Sequence, residues 1–128
     1  MRIVSTSIFV HDQQKALEFY TEKLGFVVKN DIPLGEFRWL TLVSQDEASG
    51  TELVLEPNAH PAAKEYQTKM YEDGIPLNMF GVVNLTKTFE ELNQKGVKFH
   101  TEPVTMDDYK YAVIDDTCGN LIQLLELR

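Results

Sequence analysis

Glu56, His60 and Gln123 have the side chains and the placement to do chemistry. Glu56 ends the run Leu53-Val54-Leu55-Glu56, and His60 follows it after Pro57-Asn58-Ala59. A carboxylate at a strand end could serve as a general base, and an imidazole in the next loop could exchange protons near neutral pH or donate to a bound molecule. The competing use of His60 is to cap the helix begun by Pro61. Gln123 interrupts a closing stretch, Leu121 to Leu127, that is otherwise apolar except at Glu126. A strand buried on one face and lining a cavity on the other leaves such a polar interruption. The other histidines, His11 and His100, have no partner in sequence and read as structural. Asp107-Asp108 and Asp115-Asp116 read as turn residues. No Ser-His-Asp order, phosphate-binding loop or Gly-rich dinucleotide turn is present.

Arg38 and Trp39 are adjacent on a strand, so only one of them can face a given side. If the Arg38 side looks inward, its guanidinium could hold a carboxylate or phosphate. If the Trp39 side does, the indole offers a stacking surface. Tyr109 and Tyr111, two residues apart, share a strand face.

The elements that must position these groups follow from periodicity and turn chemistry. Ile3 to Val10 reads as a strand and Asp12 as a helix N-cap. Leu17, Phe19, Tyr20 and Leu24 give a helix over Gln13 to Leu24, stopped by Gly25. Phe26 to Ile32, Phe37 to Val43 and Thr51 to Glu56 read as strands, with a turn at Pro33-Leu34-Gly35. A connector, Pro57 to Pro76, carries its own helix from Pro61 to a stop at Gly74. The pattern then repeats. Asn78 to Val83 is a strand, and Asn84 or Thr86 caps a helix with Leu85, Phe89 and Leu92 on its apolar face. Gly96 ends that helix, and strands follow at Val97 to Phe99, Tyr109 to Ile114 and Leu121 to Leu127. The repeated order points to two packed copies of one unit. They span roughly 1–57 and 77–128 around a helical connector, 58–76, in a single domain over 1–128.

Composition narrows the function. The 128-residue chain is large enough for one buried core. Its net charge of −8 has no cluster of Lys and Arg to offset it, which argues against nucleic acid and anionic membranes. No apolar run approaches a membrane span, and the start runs straight into a strand pattern with no room for a signal peptide. A lone Cys118 excludes an internal disulfide, so the expected location is a reducing cytoplasm.

The stretches Ile8-Phe9-Val10-His11-Asp12, Ala16-Leu17-Glu18-Phe19-Tyr20, Leu24-Gly25-Phe26 and Gly119-Asn120-Leu121-Ile122 resemble the opening and closing motifs of the vicinal oxygen chelate superfamily. That superfamily includes glyoxalase I, bleomycin-resistance proteins, fosfomycin-resistance transferases and extradiol dioxygenases. The resemblance covers essentially the whole chain. It implies an α+β fold of two βαβββ modules, each curling a mixed sheet around a concave cavity, often completed by a second subunit. The family's metal enzymes carry ligands on the first, fourth, fifth and eighth strands. Carried over by position, these fall on Ser5, Glu56, Leu77 or Asn78, and Gln123. The last stands four residues after the turn glycine, where the family usually has Glu. One carboxylate and a neutral amide fall short of the roughly three good ligands a first-row ion needs. No cofactor is therefore expected; were there a metal, Glu56 and Gln123 would hold it. The leading expectation is a homodimer binding a small organic molecule, with Ser5, Ser7, Arg38 or Trp39, Glu56, His60, Tyr111 and Gln123 as the lining. The alternatives are a metal-dependent glyoxalase-like lyase or isomerase, a dioxygenase-type enzyme, and a metal-free enzyme using Glu56 or His60 in acid/base catalysis.

Overall fold

A computed structural model describes residues 1–127. The chain forms two compact units, the first covering Met1–Glu65 and the second beginning at Tyr66. In order, the elements are β1 (Ser5–Val10), α1 (Gln13–Glu18), a π-helical turn (Phe19–Lys23), β2 (Val27–Leu34), β3 (Phe37–Val43), β4 (Glu52–Pro57), α2 (Pro61–Glu72), β5 (Asn78–Gly81), α3 (Leu85–Gln94), β6 (Lys98–Thr105), β7 (Tyr109–Asp115) and β8 (Leu121–Leu127). Each unit holds one open sheet of four strands, in the orders β1-β4-β3-β2 and β5-β8-β7-β6. The first pair in each sheet is parallel and the rest are antiparallel. This is the α+β arrangement of two βαβββ modules.

Local chemistry explains the helix ends. Asp12 and Asn84 have extended backbones, and their side chains accept from the amides of Lys15 and Lys87 at 3.0 and 3.1 Å. Gly25 and Gly96 close the first and last helices at φ +83° and +81°, where a β-carbon would be strained.

The expected helix over Gln13 to Leu24 divides. It is α-helical to Glu18 and then widens into the π turn, with the Leu24 amide donating to the Phe19 carbonyl at 3.3 Å. Phe19 and Tyr20, at the start of that turn, are both buried, edge to face with centroids 5.4 Å apart. Two strands run longer than the sequence pattern suggested. β2 continues through Pro33, and β6 extends past Phe99 through Pro103 to Thr105. Both are edge strands with irregular register, where a missing amide and a bulge are tolerated.

One face of the first sheet buries Ile8, Val10, Leu40, Leu42, Leu53 and Leu55. Gln13 of α1 is fastened to this sheet. The β3–β4 register is confined to Thr41–Val54 and Leu42–Leu53. Beyond it the Gln13 amide donates to the carbonyls of Arg38 and Leu55, at 2.8 and 2.9 Å, and accepts from the Arg38 amide at 3.0 Å. One side chain thus replaces the ladder between the diverging strands. Gln13→Ala is expected to cost about 2–3 kcal/mol by leaving these backbone groups unpaired, measured as a lower urea midpoint with an unchanged slope.

In the second unit, Gln67 of α2 donates to the Cys118 carbonyl at 3.2 Å and to Asn120 Oδ1 at 3.1 Å, tying the helix to the β7–β8 turn. The Tyr71 hydroxyl donates to the Asp115 carboxylate, and this bond, with burial, raises the phenol's pKa above its ordinary value. The neutral phenol is the donor. Its contribution to stability is therefore full below the unfolded value of about 10 and is lost as pH rises through the higher folded value. Tyr71→Phe should remove the step above the ordinary tyrosine range in an absorbance titration.

Candidate functional site

The face of the first sheet away from α1 gathers most of the residues singled out in that half of the sequence. Register places Ser5 beside Glu52, Ser7 beside Val54 and Phe9 beside Glu56. Val54 in turn lies beside Thr41, and two residues from Thr41 on the same strand face is Trp39. Ser5, Ser7, Trp39 and Glu56 therefore share one face. Trp39 pairs with Ile32, and Phe37 with Leu34. These four side chains make an apolar, aromatic surface, each between 36% and 63% exposed.

Arg38 is on the opposite face. Its guanidinium grips Asp31 through two bonds, at 3.0 and 2.7 Å, and donates to Gln14 of α1 at 2.8 Å. The bond from Arg38 holds the Asp31 carboxyl below the usual carboxylate range. Arg38 is thus occupied beside α1, and of the adjacent pair it is Trp39 that shares a face with Ser5, Ser7 and Glu56.

Beside the aromatic surface stands a polar cluster that the alternation of β4 did not reveal. The Glu52 carboxylate accepts from the Thr41 hydroxyl at 2.7 Å and from the Asn30 amide at 3.1 Å, and Asn30 also donates to Thr41 at 3.0 Å. Thr41 is fully buried, so this bonding is what allows its hydroxyl in the core. Asn30 and Thr41 are direct cross-strand neighbours, a relation that requires the β2–β3 pairing and its bulge.

His60 lies in the loop leaving β4. Its Nδ1 accepts from the Ala62 amide at 3.0 Å, so the imidazole caps α2, and the rest of the ring is exposed. In the second unit, Glu126 bonds the Leu85 amide at the start of α3 at 2.7 Å, which fixes the α3 side of that sheet. The residues alternate with it. Gln123 is beside Val113 and Met79, and Tyr111 beside Leu125, on the face away from α3. Tyr109 joins them, its ring centroid 6.0 Å from that of Tyr111. Gln123 and Tyr111 are half-buried.

The donor set does not suit a divalent ion. Ser5 and Glu56 are four residues apart along paired strands, about 13 Å at strand rise, too far to share one ion. The carboxylate beside Ser5 is Glu52, already engaged by Thr41 and Asn30. The β5 residue beside Gln123 is Met79. Among the described residues, no three His, Cys, Asp or Glu side chains are grouped for a metal. No helix among them is long and apolar enough to cross a membrane.

These two βαβββ modules are matched by a family model, that of the Glyoxalase/Bleomycin resistance protein/Dioxygenase superfamily, over residues 2–124, and the chain belongs to that superfamily. An uncharacterised protein of Bacillus subtilis (strain 168), YurT, is 61% identical over 126 residues, covering 98% of this chain and 99% of its own. Among solved structures, UcmS2 is 37% identical and superposes with a TM-score of 0.85, covering 98% of this chain and 97% of its own. TnmS3, an antibiotic binding protein from Streptomyces sp. CB03234, is 25% identical with a TM-score of 0.79, covering 100% of this chain and 97% of its own.

Proposed function

We propose that the protein binds a small, largely apolar aromatic molecule on the face of the first sheet that carries Trp39, without a divalent metal at the family's usual positions, and that it works as a homodimer. The observation that carries the reading is the exposed surface of Ile32, Leu34, Phe37 and Trp39 flanked by Ser5, Ser7, Glu56 and the Glu52 cluster. Apolar walls supply affinity and a few fixed polar groups supply orientation, which is the usual composition of a small-molecule site. Tyr111 and Gln123 offer the second sheet's equivalent, a phenol and an amide that hydrogen-bond without needing a charge. The likeness to an antibiotic binding protein supports a small-molecule ligand. Binding alone would suffice for sequestration. The homodimer reading rests on the same exposed surface, part of which a second copy would cover.

Trp39 is the sole tryptophan, so its emission reports directly on this face. Titration with 8-anilinonaphthalene-1-sulfonate, an aromatic dye with one sulfonate, tests the reading. Saturable quenching of Trp39 emission with a matching rise in dye emission is expected; emission that stays unchanged would count against the surface as a ligand site.

A further inference from the structure

We propose that the first unit carries a second site, which shares Glu52 with the polar cluster beside the aromatic surface, for a small aliphatic zwitterion such as an amino acid, in a cavity of about 540 Å³ beside the start of β1. The cavity is walled by Arg2, Ile3, Val4, Lys29, Ala48 and Glu52, with the loop 49–51 completing it. Its volume is in the range of small-molecule sites.

The charges decide the ligand. The chain as a whole carries −8, yet this cavity brings two cations to one carboxylate. One Glu52 oxygen is taken by Thr41 and Asn30, which hold the carboxylate in place. Among the described residues its other oxygen has no hydrogen-bond partner, and since none of their buried side-chain polar atoms lacks one, that oxygen is not buried. Lys29 donates to the carbonyl of Ala48, another lining residue, at 3.3 Å, and its ammonium has further N–H groups to offer. Arg2 has no ion-pair partner among the described residues. The loop is anchored to the strand it faces, with Thr51 Oγ1 donating to the Ile3 carbonyl at 3.2 Å and the Glu52 amide to the Val4 carbonyl at 3.0 Å.

A simple anion entering here would meet Glu52, and a simple cation would meet Arg2 and Lys29. A molecule with both charges satisfies all three: its carboxylate takes the guanidinium and ammonium, and its ammonium donates to the free Glu52 oxygen. Ile3, Val4 and Ala48 leave apolar wall for a short aliphatic side chain. The two sites share Glu52, but Lys29 lines only this one and Trp39 only the other, so leucine binding lost in Lys29→Ala and dye binding lost in Trp39→Ala tell the two apart.

The test is amide NMR of the isotope-labelled full chain, titrated separately with L-leucine, 4-methylpentanoate (its acid alone) and 3-methylbutylamine (its amine alone). L-Leucine should shift the amides of Val4 and Ser49 to Glu52 saturably, and each single-charge analogue should bind at least about tenfold more weakly. Lys29→Ala, on an exposed side chain, and Glu52→Gln, which keeps an acceptor for Thr41, should each weaken leucine binding by about tenfold or more. The proposal is overturned if leucine leaves these amides unshifted, if either analogue binds as well as leucine, or if both variants bind it unchanged.

Discussion

Asp116→Ala is expected to lower the free energy of unfolding by about 3–5 kcal/mol, a large part of the roughly 5–15 kcal/mol of an ordinary domain. Asp116 is fully buried in the turn between β7 and β8. One of its carboxylate oxygens accepts from the amides of Cys118 and Asn120, at 2.7 and 2.9 Å, and the other from the Asn120 side chain at 2.8 Å. Asn120 Oδ1 and the Cys118 carbonyl are in turn the acceptors for Gln67. Alanine would strand these donors away from water and release α2 from the turn. The same geometry explains Gly119, whose φ is +101° and where an added β-carbon would come within 2.8 Å of Gln67 Nε2. Urea unfolding monitored by circular dichroism checks the size of the loss. A change below about 1 kcal/mol would show that water replaces the carboxylate.

Trp39→Ala is expected to weaken binding of the anilinonaphthalene dye by about 2 kcal/mol, roughly 30-fold, the range of an aromatic anchor. Trp39 supplies the largest ring on the exposed surface and has Ile32 beside it and Phe37 on the same strand face. Truncation removes both stacking area and the rigid wall that excludes water. Because the side chain is well exposed, the fold should tolerate the change, with a shift in unfolding free energy under about 1 kcal/mol. Arg38→Ala makes the control. It removes the neighbouring side chain on the opposite face and should leave dye binding within about twofold.

The fold was legible because its signals are local. Asp12 and Asn84 announce helix starts, Gly25 and Gly96 announce stops, and period-two alternation marks the strands that pack on α1 and α3. Pro33 and Pro103 hid the full lengths of β2 and β6, since proline is a stop signal except on an edge strand, and edge position is a property of the assembled sheet. The π turn was hidden because Leu17, Phe19, Tyr20 and Leu24 fit one ordinary helical face.

The candidate site was only partly legible. Alternation established that Arg38 and Trp39 part company, but which face each takes depends on where α1 lands, through Gln14 and Asp31. Gln13 stood only as the first residue of the expected helix, and nothing in the sequence indicates that it bridges two strands. Glu52 read as one polar residue in an alternating strand. Its role comes from Asn30 and Thr41, which lie 22 and 11 positions away. Glu56, the more conspicuous carboxylate, stands beside Phe9 instead.

The most direct test of the central claim, a metal-free small-molecule site, is native mass spectrometry of the untreated purified protein. The account predicts a dimer without a divalent ion on either subunit, and the mass of any co-purified organic molecule should be lost in Trp39→Ala. One divalent ion per subunit would contradict it, and would mean that ligands other than the Ser5, Glu56 and Gln123 positions build a metal centre.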